Sequence, residues 1–211
     1  MTERVSHLLK ESDWKNVIKD KTELEKILRK ENYPVFDKVV DFHLKYGGLT
    51  IYTGKEPITF GIHHLTKRGE FNYISGEIEG FDLEDEYPKM SFLCADTLCQ
   101  IRWTIDENGH IFEDFDLLTE SFESFLEDYA LWNDLVKDGW SVIQRNIYGK
   151  YLNSIIVKFD SIFPVSQIQE PGIKWFKIGS NKYLIERNAE IILFGKNISE
   201  IEKQEIIEKV K

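Results

Sequence analysis

The sequence has 211 residues, of which 42% are hydrophobic and 13% are aromatic, so it can bury a sizeable core and is not a disordered chain. Its formal net charge of −10 opposes binding to nucleic acid or to an anionic membrane, because both need a basic surface, and it favours a basic protein partner. No apolar run is long enough to span a membrane and no secretion signal is visible, so we expect a cytoplasmic protein.

The two cysteines, Cys94 and Cys99, are too few for a disulfide framework in a chain of this length. Their spacing is also not the CxxC pattern of zinc ribbons and thioredoxin-like sites. We expect both to be reduced thiols.

Residues 3–31 have the composition of helices. Trp14, Val17 and Ile18 form one short apolar face, and Thr22 with Glu25 matches the capping-box spacing at a helix start.

The stretch 33–52 predicts an amphipathic helix that ends at two glycines. Pro34 suits the first helical position, because its missing N–H would have no partner there. Gly47 is expected to take the left-handed conformation that ends a helix, and Gly48 to free the turn into a strand that begins at Leu49.

Short strands are predicted at residues 58–62 and 71–75, followed by a strongly acidic segment at 77–86. Apolar anchors inside this charged segment suit a protein interface. A merely solvated loop is the alternative, and a calcium loop is disfavoured because the D-x-D-x-D-G pattern is missing. The predicted partner-binding residues are Glu79, Phe81, Asp82, Glu84, Asp85 and Glu86.

Two further strands are predicted at residues 91–95 and 98–105. Asn108 and Gly109 then indicate a tight hairpin turn, with a return strand at 110–113. Thr119 is placed to cap a following helix, whose apolar stripe comprises Phe122, Phe125, Leu126 and Tyr129.

Residues 140–211 form a second block, with a plausible domain boundary near Gly139. We predict a strand at 151–159, a loop at 162–172, a hairpin around 179–182, and a strand at 189–194. Ser199 and Glu202 form a capping box for a terminal helix.

Candidate catalytic groups are few. His63 and His64 are adjacent on a predicted strand, where neighbouring side chains point to opposite faces, so they do not suit joint chelation of one metal ion. Asp106, Glu107, Asp114 and Asp116 could act as paired acid–base carboxylates, but turn chemistry already accounts for the Asp-Glu-Asn-Gly run. We therefore expect no catalytic residue, no cofactor and no metal site.

Three short motifs occur in a characteristic order: YGGL at residues 46–49, IDENGHIF at 105–112 and SFESFL at 121–126. In this order and spacing, over roughly residues 13–135, the chain resembles the SUKH superfamily, which contains bacterial immunity proteins related to yeast regulators of glucan synthesis. The resemblance implies an α+β fold with a mainly antiparallel sheet flanked by helices. It places a SUKH-like domain at residues 1–139, and residues 140–211 are then a β-rich extension that ends in a helix.

The same resemblance implies a binding protein without catalytic residues, which neutralises a cognate toxin, often a nuclease or another secreted toxin domain. A regulatory or scaffolding module that binds a host protein is the second hypothesis. A metal-dependent hydrolase that uses His63 or His64 is the third.

Overall fold

A computed structural model of the chain describes residues 1–52, 57–65, 71–73, 91–96, 102–114, 116–148, 151–159 and 161–210. Helices and antiparallel sheets occur throughout, and the chain ends with strands and a final helix, which confirms the predicted α+β class. The structure divides into two compact units, Met1–Phe122 and Glu123–Lys211. The predicted domain boundary after residue 139 stays a prediction.

The first unit begins with three helices: α1 (Glu3–Glu11), α2 (Lys21–Lys30) and α3 (Asp37–Tyr46). The prediction of helical structure across residues 3–31 is wrong in the middle, because Asp13–Trp14 form a short strand, β1. Val17 and Ile18 are buried, whereas Trp14 is 48% exposed, so the three residues do not form one helical face. Packing of the extended segment has overridden its helical periodicity.

The starts of α2 and α3 also differ from the prediction. Asp20 caps α2, since its carboxylate accepts a hydrogen bond from the N–H of Glu23 at 2.8 Å, and the predicted capping box at Thr22 and Glu25 is wrong. Pro34 lies before the N-cap residue Phe36 and not at the first position of α3. Phe36 is extended there, with its ring packed edge-on against Phe92.

Two four-stranded antiparallel sheets and one hairpin complete the first unit. The first sheet has the order β1-β2-β3-β7, the second the order β10-β9-β8-β6, and β4 pairs with β5. These strands are β2 (Leu49–Tyr52), β3 (Pro57–Phe60), β4 (His63–Leu65), β5 (Phe71–Tyr73), β6 (Ser91–Leu93), β7 (Ala95–Asp96), β8 (Trp103–Asp106), β9 (Ile111–Glu113) and β10 (Asp116–Thr119). Thr119 therefore ends a strand, and the prediction that it caps a helix is wrong.

Cys94 joins the two four-stranded sheets. It lies between β6 and β7, where its N–H donates to the carbonyl of Trp103 at 2.9 Å and its own carbonyl accepts from the N–H of Gly61 at 3.0 Å. The hydrogen-bond ladder thus continues from β3 through residues 91–96 to β8. The two four-stranded sheets are in effect one continuous antiparallel sheet.

An aromatic cluster closes the core of this unit. The rings of Phe42 and Tyr46 on α3 and of Phe60 on β3 lie 4.8, 4.6 and 4.9 Å from the ring of Phe122. Phe122 is the first residue of α4 (Phe122–Lys137), which confirms the helix predicted from its aromatic stripe. Such tilted and edge-on pairs stabilise a core beyond the area they bury.

The second unit contains the rest of α4 and one five-stranded antiparallel sheet, in the order β11-β15-β14-β13-β12. The hairpin around residues 179–182 and the following strand are confirmed. The elements are β11 (Ser141–Tyr148), α5 (Leu152–Ile156), β12 (Ile162–Gln169), β13 (Ile173–Ile178), β14 (Lys182–Arg187), β15 (Glu190–Gly195) and α6 (Glu200–Val210).

Two predictions for the second unit are wrong. Residues 151–159 contain the short helix α5 and no strand, because Leu152 and Ile155, three residues apart, both point into the core. Residues 162–172 contain the strand β12, where Pro164 is tolerated because β12 is an edge strand.

Both faces of the five-stranded sheet are covered. On one face, Trp132 of α4 packs edge-on against Phe194, with ring centroids 5.0 Å apart. On the other, Leu184 and Leu193 form an aliphatic core with Ile155 of α5 and Ile206 of α6. The second unit is therefore a three-layer sandwich of helix, sheet and helices.

Candidate partner-binding surface

The two glycines after α3 have different roles. Gly47 has a φ of −56°, so the prediction that it is left-handed is wrong. Its missing side chain matters for space, because a Cβ there would overlap the carbonyl oxygen of His43. Gly48 takes the left-handed conformation, with a φ of 82°, and a Cβ on it would overlap the carbonyl oxygen of Lys15.

His43 is the centre of this junction. Its side chain is completely buried, and its Nδ1 accepts a hydrogen bond from the backbone N–H of Ile62 at 3.0 Å. A Cβ on Gly61 would lie 3.1 Å from the same Nδ1 and 2.9 Å from the Cα of Gly47. The imidazole therefore fixes the chain between α3 and β4, provided that Nδ1 carries no proton. Nothing in the local sequence around His43 indicates this role.

Lys19 caps the end of α3 from a distance in the sequence. Its Nζ donates to the carbonyls of Leu44 and Gly47, both at 2.9 Å, and to that of His43 at 3.4 Å. Carbonyls at the C-terminal end of a helix carry partial negative charge, so a cation there is favourable. Partial burial lowers the pKa of Lys19 from its usual range.

The hairpin between β8 and β9 confirms the predicted turn at Asn108 and Gly109. Asp106 is buried, and its Oδ1 accepts hydrogen bonds from the N–H groups of Asn108 at 2.9 Å and His110 at 2.8 Å. Its Oδ2 lies 3.1 Å from Nδ1 of His110. Gly109 has a φ of 87°. Asp106 is thus committed to the turn, which weakens the acid–base interpretation of this carboxylate.

Exposed carboxylates surround that hairpin. Glu107 follows Asp106, Asp114 follows β9, and Asp116 begins β10, and all three are exposed. The sequence has no lysine or arginine between Arg102 and Lys137. Glu107 lies in the turn at one end of the hairpin, whereas Asp114 and Asp116 lie towards its other end, where Trp103 pairs with Glu113. These three exposed carboxylates are together called the hairpin face below.

The charge of the whole chain is concentrated in this part of the sequence. Residues 51–122 carry 15 acidic and 5 basic side chains, a formal charge of −10, whereas residues 1–50 carry +1 and residues 123–211 carry −1. A count of acidic and basic residues in each segment of the sequence is enough to find this asymmetry.

The predicted partner-binding residues, Glu79, Phe81, Asp82, Glu84, Asp85 and Glu86, lie outside the described residues. These residues and the hairpin face both lie within residues 51–122, which carry a formal charge of −10. Their role in binding stays a prediction.

His63 and His64 lie on β4, where they pair with Tyr73 and Asn72 of β5. Among the described residues, no group of three histidine, cysteine, aspartate or glutamate side chains is arranged to hold a metal ion. Within the same ranges, no helix is long and apolar enough to cross a membrane.

Cys94 is a buried free thiol, and Cys99 lies outside the described residues. Burial raises the pKa of the Cys94 thiol well above its usual range, so it stays protonated. A protonated thiol is a poor nucleophile, and the place of Cys94 between two sheets gives it a structural role.

The second unit contains a polar cluster that the sequence did not reveal. Asp128 on α4 is buried, accepts a hydrogen bond from Nε1 of Trp175 at 2.7 Å, and forms an ion pair with Arg187. The guanidinium of Arg187 also lies over the ring of Tyr129, 5.8 Å from its centroid. These contacts span 47 and 59 residues, so no local motif could have indicated them.

Comparison with known proteins identifies the first part of the chain. The family model described as SUKH-3 immunity protein matches residues 1–127, which is more than half of the chain. No curated protein and no solved structure matches the chain. The matched region contains the glycine junction, the hairpin and the start of α4, and it ends one residue before Asp128.

Proposed function

Because the chain belongs to the SUKH-3 immunity protein family, we propose that it binds a cognate protein toxin and blocks its action. The family match carries this proposal, since it covers the whole region that contains the glycine junction and the hairpin. Immunity protein families are generally non-enzymatic, and we propose that this chain acts in the cytoplasm by binding alone.

The charge distribution supports a basic toxin surface as the partner. Residues 51–122 carry a formal charge of −10, and the hairpin face displays three exposed carboxylates from this segment. Opposite charge raises the rate at which two proteins meet and disfavours wrong partners. A toxin that acts on nucleic acid would offer such a surface, because it must itself bind phosphate.

Two groups of carboxylates within residues 51–122 are candidates for the contact with the toxin. The first is the predicted loop with Glu84, Asp85 and Glu86, and the second is the hairpin face with Glu107, Asp114 and Asp116. We propose that the loop supplies the apolar anchors Phe81 and Leu83, and that the hairpin face contributes to long-range attraction.

The test is co-expression with the product of the gene that neighbours this one in the genome, as the candidate toxin, followed by pull-down. We expect the chain to restore growth and to bind the toxin directly. Unchanged toxin lethality in cells that accumulate the folded chain would rule out the immunity function.

Charge reversals then locate the contact. Replacing Glu84, Asp85 and Glu86 together with lysine should weaken toxin binding at least about tenfold by raising the off-rate, as loss of a contact does. Replacing Glu107, Asp114 and Asp116 with lysine should act mainly on the on-rate and lose its effect at high salt. Glu200, Glu205 and Glu208 on α6 serve as the matched control, since all three are exposed, lie in the second unit and change the net charge by the same amount when replaced with lysine. If the control weakens binding equally, only net charge matters and neither part is the contact surface.

A further inference from the structure

Asn108 and Gly109, in the turn between β8 and β9, are also a chemically reactive pair. Of the ten asparagines in the sequence, only Asn108 is followed by glycine. The backbone nitrogen of the following residue can attack the side-chain amide of an asparagine, and a side chain on that residue hinders its approach. Gly109 has no side chain, and its φ of 87° accounts for a glycine at this position. Asn108 is exposed, so water reaches any product of this attack.

The closed turn engages both of the groups that would react. The N–H of Gly109 donates to the carbonyl of Asp106 at 3.1 Å, and Nδ2 of Asn108 donates to Oδ2 of Asp106 at 3.4 Å. Oδ1 of the same carboxylate accepts from the N–H groups on either side of Gly109, those of Asn108 and His110. A carboxylate in this place opposes loss of the Gly109 amide proton, because a second negative charge would form beside it. The turn must therefore open before the Gly109 nitrogen can attack.

We propose that Asn108 is a deamidation site, which reacts when the turn between β8 and β9 opens and which the closed turn protects. The Gly109 nitrogen forms a bond to Cγ of Asn108, and the bond from Cγ to Nδ2 breaks. The Gly109 amide proton leaves with Nδ2 as ammonia. One water molecule then opens the five-membered imide and gives aspartate or isoaspartate at position 108. This inference concerns the chain itself and does not depend on the toxin.

Neither product fits the turn from which it forms. A carboxylate at position 108 replaces the Nδ2 donor and faces the carboxylate of the buried Asp106, which is a contact between like charges. Isoaspartate also adds one atom to the backbone, which disturbs the register that pairs Ile105 with Ile111. Opening of the turn therefore permits the reaction, and the reaction then prevents the turn from closing.

The experiment is peptide-resolved mass spectrometry of the full chain during incubation at neutral pH, both in buffer and in urea that unfolds the chain. In the unfolded chain, we expect Asn108 to be converted to the acid before any other asparagine. In the native chain, conversion of Asn108 should be at least about tenfold slower, because only the open turn reacts. At lower urea concentrations, its rate should rise together with the hydrogen exchange of the Gly109 and His110 amides.

Asn108→Asp reproduces one product and tests its effect on the turn. Hydrogen exchange of the β8 and β9 amides should be at least about tenfold faster than in the unmodified chain, because the turn closes less often. Asn181→Asp is the matched control, since Asn181 lies in the hairpin turn between β13 and β14 and its Oδ1 accepts from Nζ of Lys182 at 2.9 Å. A carboxylate there faces a cation, so exchange in β13 and β14 should stay unchanged.

Equal rates of conversion in the native and the unfolded chain would overturn the proposal, because the closed turn would then give no protection. An unfolded chain that keeps its mass at Asn108, or that reacts first at another asparagine, would overturn it as well. Unchanged exchange of β8 and β9 in Asn108→Asp would show that the product fits the turn. Equal acceleration of exchange around both turns by the two changes would show that contact with Asp106 does not matter.

Discussion

The two units of this chain differ in the structural features that stabilise them. The first unit, Met1–Phe122, has short strands, an aromatic cluster around Phe122 and nearly all of the net charge. The second unit, Glu123–Lys211, has five longer strands between helical layers and is almost neutral. The first has close backbone approaches at glycines, and the second has a buried ion pair and a five-stranded sheet. The acidic charge is thus concentrated in the first unit, and the second unit is almost neutral.

The largest expected effect tests the polar cluster of the second unit. Asp128→Ala removes the acceptor of Trp175 and the partner of Arg187, both of which stay largely buried. We expect a loss of about 3–5 kcal/mol in the free energy of unfolding, as for other broken buried pairs. Native-state hydrogen exchange of β13 and β14 measures it.

Asp138→Ala is the control for that change, because Asp138 forms an ion pair with Lys196 but its side chain is 68% exposed. Its cost should stay below about 1 kcal/mol. If Asp128→Ala lowers protection equally in β8 and β9, the two units unfold as one and the contrast drawn between them fails.

The next effect tests the close approaches of the first unit. Gly48→Ala forces a side chain into the left-handed region and against the carbonyl of Lys15, so we expect a cost of about 3 kcal/mol. Gly139→Ala, in the second unit, has the same sign of φ at 73° but no atom within 4 Å of the new Cβ. It should cost about 1 kcal/mol. Equal losses on urea unfolding would show that conformation alone matters and that space at Gly48 does not.

Gly47→Val should also destabilise the fold, although for a different reason from the one the sequence indicated. The φ of Gly47 suits any residue, but its Cβ would meet the carbonyl and the ring of His43. The sequence indicates that both glycines lie between the end of a helix and the start of a strand. Their different roles do not follow from it, because Lys15 reaches Gly48 only in the folded chain and the ring of His43 is held beside Gly47 by its hydrogen bond with Ile62.

A smaller effect is expected where Lys19 caps α3. Lys19→Met keeps the aliphatic part of the side chain but loses the hydrogen bonds to the carbonyls of Leu44 and Gly47. We expect a loss of about 1–2 kcal/mol in the free energy of unfolding. Lys15→Met is the control, because Lys15 is also exposed, and it should change stability by less than about 0.5 kcal/mol. Equal effects of the two changes would remove the capping role.

The starts of two helices show how well the local sequence predicts capping. The same spacing of three predicted a capping box at Thr22 and Glu25 and another at Ser199 and Glu202, and only the second is confirmed. At α2 the competing pair Asp20 and Glu23 has the same spacing, and the carboxylate of Asp20 is the better cap. Where two local patterns overlap, packing decides between them.

The second unit shows that a short apolar run does not by itself predict whether a segment is a helix or a strand. The run at 151–159 is short enough to fit a helix or a strand, and its form depends on which side chains meet the sheet. For the candidate partner surface, the charge distribution and the order of motifs indicated residues 51–122. The pairing of Asp128 with Arg187 could not be predicted in this way, because it depends on tertiary structure that joins distant residues.

The smallest expected effect concerns the confirmed capping box of α6. The N–H and hydroxyl of Ser199 donate to Oε2 of Glu202 at 3.0 and 2.8 Å, and these bonds lower the pKa of Glu202. The ionised carboxylate therefore stabilises the start of α6 at pH values above the unfolded pKa. That stabilisation is lost as the pH falls through the lower pKa of the folded state.

Glu202→Gln keeps a side-chain acceptor at this position but cannot ionise, so exchange of the first α6 amides should lose its dependence on acid pH relative to neighbouring helices. Glu205→Gln, an exposed change on the same helix, should leave that dependence intact. Fraying of α6 at the same acid pH with and without Glu202→Gln would show that the cap does not depend on charge. The second unit would then hold its last helix by packing of Ile206 and Ile207 against the aliphatic core, and the contrast between the glycine contacts of the first unit and the packed sheet of the second would be sharper.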